Sequence, residues 1–100
     1  MTRLFAIVRT RGPAWDDARG LEQQDGWTAH ADFMDALADE GFVALAGPLE
    51  GTRDALIVVR AADPAEIVER LSVDPWTVSG HLVLQHTWPW QLRIGSLEER

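Results

Sequence analysis

DGWTAHADFMDALADEGFVALAGPL, from Asp25 to Leu49, is the stretch on which the reading of this chain turns. Trp27, Phe33, Met34 and Leu37 recur at helical spacing and make one apolar stripe, while Thr28, Asp32, Asp35 and Asp39 share the opposite face. Asp25 stands where an N-cap belongs, and Gly41 where helices commonly stop. Phe42 to Ala46 then reads as a buried strand running into Gly47-Pro48. His30 falls inside the stripe, three residues after Trp27 and three before Phe33. An imidazole on the inward face, when the polar face was open to it, needs a partner or a task.

Outward toward the N-terminus, Leu4 to Val8 is an apolar run of strand length. Between it and the helix lies a long connection, Arg11 to Gln24, with Trp15 and Leu21 its only large apolar residues. Connections of this length in small domains are usually functional lids or mobile segments. Toward the C-terminus, Ala55 to Val59 is a third strand. Asp63-Pro64-Ala65-Glu66 opens a second helix with a carboxylate cap and a proline at its first position. Ile67, Val68 and Leu71 give that helix an inward face, and Glu66 is placed to pair with Arg70 one turn on. Asp74-Pro75-Trp76 repeats the cap-and-proline pattern for a single short turn. Leu82 to Trp90 is the last strand, with Leu82, Leu84, His86, Trp88 and Trp90 expected on one face and Pro89 marking an edge. The domain is expected to span residues 1–94, with 95–100 a polar tail.

The order βαββαβ is that of a ferredoxin-like α+β sandwich, two helices covering one face of a four-stranded sheet. The first and third strands are expected as parallel central neighbours, which would bring Arg9 and Arg60 to the same edge. The first three strands, Leu4 to Val8, Phe42 to Ala46 and Ala55 to Val59, are apolar at both alternating sets of positions, whereas a half-solvated sheet alternates with polar residues. A second copy of the chain, packed sheet on sheet as a two-fold homodimer, would cover the remaining face.

One hundred residues suit one domain with a modest core. The chain has no cysteine, which excludes disulfides and thiolate chemistry. A net charge of −7 without a basic cluster argues against nucleic acid. No apolar run spans a membrane and no signal peptide precedes the first strand, so a cytoplasmic location is expected. No phosphate loop, serine triad or cofactor fingerprint occurs, so no cofactor is expected.

Taken singly, His30 reads as a satisfied core histidine and Asp74 as the cap of its short turn. Together they are the elements of a general-base pair, because a carboxylate fixes the imidazole tautomer and stabilises the imidazolium. Arg9 and Arg60 suit an anionic or phenolate substrate, or are two solvated strand ends. Trp15, Trp76, Trp88 and Trp90 suit an aromatic ligand, although core and dimer interface account better for Trp88 and Trp90. His81 and His86 are expected on opposite faces of the last strand, so they form no metal site.

EQQDGWTAHADFMDALADEGFVALAGPL, DPWTVSG and the strand running into WPW resemble the YCII-like (YciI-related) family over nearly the whole chain. The resemblance implies a dimeric α/β barrel, with a catalytic histidine and aspartate that carry over to His30 and Asp74. The wider superfamily includes muconolactone isomerases, and one relative removes chloride from a chlorinated hydroxyquinol. The expectation is therefore cofactor-independent proton transfer on a small cyclic or aromatic compound, giving isomerisation or elimination. His30 and Asp74 would be catalytic, and Arg9, Trp15, Phe33 and Trp76 would contact substrate. The alternatives are a non-catalytic ligand-binding or accessory dimer and a purely structural dimerisation module.

Overall fold

The run RLFAIVRTR alternates strictly: Phe5, Ile7 and Arg9 are buried on one side, and Leu4, Ala6 and Val8 stand half-buried on the other. This is β1, Arg3–Arg11, a central strand in the computed structural model of the chain, which describes residues 1–97. The other elements are α1 (Trp27–Asp39), β2 (Val43–Pro48), β3 (Asp54–Ala61), α2 (Pro64–Leu71), α3 (Pro75–Ser79) and β4 (Leu82–Pro89). A short 3-10 turn, Leu21–Gln23, precedes α1. The four strands form one sheet in the order β2-β3-β1-β4, every pair antiparallel. The architecture is ferredoxin-like α+β, with the element order expected.

The expected parallel pairing of the first and third strands is corrected. The chain reverses through α1, again into β2 and once more at the β2–β3 hairpin, so β3 must run against β1. Arg9 therefore lies opposite Ala55 and Arg60 opposite Leu4, at different ends of the sheet. Arg60 instead reaches the carbonyl of Gly41 at 3.5 Å.

Along β4 the register slips: Val8 faces His86 but Arg9 faces Leu84, leaving Gln85 as an extra, bulged residue. A bulge interrupts alternation, so Leu82 and Leu84 pair beside Arg11 and Arg9 on the helix-covered side. His86 and Trp88 pair beside Val8 and Ala6 on the other side. The expected single face from Leu82 to Trp90 is thus split in two.

The helix termini follow local chemistry. Asp63 Oδ1 accepts from the Glu66 amide at 2.9 Å, and Glu66 Oε1 accepts from the Ala62 amide at 2.7 Å. Glu66 is occupied by this exchange, and Arg70 pairs with Glu40 at 2.6 Å while lying over the Phe42 ring. The expected Glu66–Arg70 pair does not form. Gly26, not Asp25, occupies the α1 N-cap at φ 79°, a left-handed conformation that suits glycine. At the other end Gly41 adopts φ 86°, and the Phe42 amide returns to the Leu37 carbonyl, closing the helix as expected.

Between the helices and the sheet lies the core of Phe5, Ile7, Leu37, Phe42, Val43, Ile57, Val59, Ala61, Ile67 and Leu71. On the opposite side of the sheet Leu45, Val83 and Trp88 remain 44–57% exposed, and His86 stacks on Trp88 at 4.6 Å. No described helix is long and apolar enough to cross a membrane. The tail beyond residue 97 lies outside the described residues.

Candidate active site

Strand alternation puts Arg9 on the helix-covered side of β1, and the Asp74-Pro75 cap starts α3 directly above it. Both side chains are almost wholly withdrawn from solvent, 1% and 0% exposed. Arg9 Nη1 donates to Asp74 Oδ2 at 2.9 Å, and its Nη2 donates to Thr77 Oγ1 at 2.8 Å. Asp74 Oδ1 accepts from the Trp76 amide at 2.9 Å, the N-cap bond that starts α3. From α1, His30 Nδ1 reaches both oxygens of Asp74, at 2.9 and 3.0 Å. One carboxylate thus serves helix cap, buried cation and imidazole at once.

Burial by itself would push the Asp74 carboxyl upward. The His30 hydrogen bond, the Trp76 amide and the positive charges of Arg9 and His30 outweigh it and hold Asp74 below its ordinary value. Asp74 is therefore a carboxylate at neutral pH and can only accept, so His30 Nδ1 must carry the donated proton. In the neutral imidazole Nε2 then holds a free lone pair. Nε2 has no hydrogen-bond partner among the described residues, and no described side-chain nitrogen or oxygen is both buried and unpartnered. Nε2 accordingly opens onto accessible space.

His30 also lines a cavity of about 380 Å³ between α1, the helix-covered ends of β1, β2 and β3, and the loop before α1. Its size is in the range of small-molecule sites. The His30 ring stacks on Trp76, centroids 4.0 Å apart and planes 11° from parallel. Trp15 meets Trp76 edge-on at 5.4 Å, and Trp76 Nε1 donates to the Asp25 carbonyl at 2.8 Å, tying α3 to the start of α1. The loop that carries Trp15 is held by Gln24, itself 3% exposed. Its side chain accepts from the Asp16 amide at 2.9 Å and donates to the carbonyls of Asp16 at 2.7 Å and Arg19 at 2.9 Å.

His30, Arg9, Trp15 and Trp76 all line this cavity. Asp74 stands behind His30 and Arg9 rather than on the wall. Phe33 packs against the core and is absent from the lining; Met34, one position on, reaches the cavity instead. His81 lies just before β4, stacked against Trp76, with Nδ1 2.6 Å from Ser79 Oγ. No group of three or more metal-ligating side chains occurs among the described residues. Sequence reasoning passed over Arg11, Gln24 and Thr77. Arg11 was within reach, since a residue two beyond Arg9 on a strand shares its face.

Fold and site together define a ferredoxin-like α+β domain with a buried, hydrogen-bonded arginine–aspartate–histidine cluster beside an aromatic-walled cavity. No family model and no curated protein matches the chain. Among solved structures it is similar to 5-chloro-2-hydroxyhydroquinone dehydrochlorinase from Burkholderia phenoliruptrix AC1100, in complex with 2,5-dihydroxybenzoquinone. The identity is 20% and the TM-score 0.67, over 88% of this chain and 93% of that one. This likeness establishes the shared fold.

Proposed function

We propose that the protein is a cofactor-independent acid–base catalyst of the YCII-like family acting on a small cyclic or aromatic compound. His30 transfers the proton and Asp74 orients it. One observation carries this reading: His30 Nδ1 is held by Asp74, Nε2 has no partner among the described residues, and the residue lines a cavity. A histidine kept only for structure has no need of an open cavity beside its free nitrogen.

In the proposed reaction Nε2 takes a proton from a carbon or hydroxyl made acidic by a neighbouring carbonyl. The C–H or O–H electron pair moves into the conjugated ring system. The resulting imidazolium is stabilised by Asp74, which remains ionised. Returning the proton to another carbon completes an isomerisation, and departure of a leaving group with its electron pair completes an elimination. Trp15 and Trp76 form the aromatic walls, and Phe33 braces α1 from the core side. Arg9 acts through Asp74, because its guanidinium is committed to that carboxylate and to Thr77. The dehydrochlorinase of the same fold, whose structure holds a dihydroxybenzoquinone, supports a cyclic substrate of this kind. A second copy of the chain covers the apolar sheet face and makes the working unit a homodimer.

The test follows deuterium incorporation and turnover with hydroxyquinols and unsaturated lactones, in wild type and in His30→Ala. Loss of a general acid–base group lowers the rate by about 10²–10⁴-fold, with ligand binding retained. A binding-only protein would show equal ligand affinity and no turnover in either form. Turnover that survives His30→Ala refutes the assignment.

A further inference from the structure

Among the described residues three arginines line the cavity, and their pairing differs. Arg9 is committed to Asp74 and Thr77. Arg53, on the exposed rim, is paired with Asp17 at 2.9 Å. Arg11 is half-buried and lines the same cavity, yet its side chain makes no ion pair or hydrogen bond among the described residues. Its guanidinium lies over the Trp15 ring, 4.5 Å from the centroid, so the group is held in place by a neutral surface. A half-buried arginine with no acidic partner among the described residues keeps its donors free for a ligand. Asp35 and Asp54 also border the cavity, and neither comes within salt-bridge distance of Arg11.

We infer that Arg11 is an anion subsite and that the ligand of this cavity is a small aromatic compound bearing one carboxylate. This inference rests on the proposed acid–base use of the same cavity and adds the substrate class. Two strand residues of one face are about 7 Å apart, so Arg11 stands roughly one substituted ring away from the Arg9–Asp74–His30 cluster. A ligand whose carboxylate meets Arg11 therefore presents its far edge toward His30. The planar fork of a guanidinium fits a carboxylate through two parallel hydrogen bonds. Asp35 and Asp54 disfavour a second anionic group.

The experiment measures binding of 2,5-dihydroxybenzoate and of its neutral partner 2,5-dihydroxybenzamide by tryptophan fluorescence and calorimetry. Wild type, Arg11→Gln and Arg11→Lys are compared, with melting temperatures recorded for each. Wild type should prefer the acid by about tenfold or more, the effect of one charge-assisted pair. Arg11→Gln should abolish that preference, with the acid losing far more affinity than the amide, and Arg11→Lys should keep part of it. Raising the salt concentration should weaken the acid and spare the amide, a readout that needs no variant. Equal binding of acid and amide by wild type, or parallel loss of both in Arg11→Gln, overturns the subsite. These measurements need no turnover, so charge-blind binding in a protein whose His30-dependent catalysis is intact refutes the subsite alone. Charge-selective binding in a protein that catalyses nothing refutes the acid–base reading and leaves the subsite standing.

Discussion

Replacing Arg9 with methionine asks whether the arginine binds substrate or holds Asp74. Methionine keeps much of the apolar stem and removes the charge. In the native protein the Arg9–Asp74 contact is 2.9 Å long between side chains 1% and 0% exposed. Truncation strands the carboxylate with His30 and one amide and leaves Thr77 Oγ1 without its donor. Breaking a buried pair by removing one partner costs about 3–5 kcal/mol. A domain of this size has roughly 5–15 kcal/mol in total. With a urea m-value of about 2 kcal/mol/M, the midpoint should fall by about 2 M. Arg9→Met/Asp74→Asn removes both charges and leaves neither stranded, so it should recover at least about 2 kcal/mol relative to the sum of the two single losses. Urea denaturation of the four proteins completes the cycle. A single-variant loss below about 1 kcal/mol, or strict additivity, would show that Arg9 does not hold the carboxylate.

Two further outcomes follow from the same features. Because Asp74 is held below the ordinary carboxylate value of 3.8, its stabilising contribution is fully present above that pH and disappears as pH falls through the lower folded value. Acid titration of stability should therefore be steeper below pH 3.8 in wild type than in Asp74→Asn, and parallel curves would contradict it. With Leu45, Val83 and Trp88 exposed on one sheet face, sedimentation should find a dimer at micromolar concentration and Trp88→Glu should dissociate it. A monomeric wild type would refute sheet-on-sheet assembly.

Much of the fold was legible because it rests on local chemistry. The stripe of α1, the Gly41 stop and the Asp63 and Asp74 caps are decided within a few residues, and the structure has all of them. The features that escaped depend on distant parts of the chain. Nothing in LVLQHTWP announces that Gln85 is bulged, since the slip is defined only against β1. Arg70 left Glu66 because a carboxylate 30 residues away offered a partner. The opposed strands β1 and β3 could have been deduced by counting reversals along βαββαβ. The geometry of His30 and Asp74 was foreseeable from the stripe and the cap. The commitment of Arg9 to Asp74 was not, because it requires knowing which carboxylate lies above the strand.

Gln24 has a consequence for the thermodynamics of ligand capture. Fixing a backbone residue costs about 1–2 kcal/mol of conformational free energy. A long loop that becomes ordered only on contact would subtract that cost from affinity. Here one buried amide ties the loop to itself through Asp16 and Arg19, holding Trp15 in place before any ligand arrives. The entropy is lost during folding rather than during association, so the interaction of a ring with the tryptophans appears nearly undiminished in its affinity. Such a roof favours rigid, planar molecules that need no adjustment from it, and selects against flexible ones.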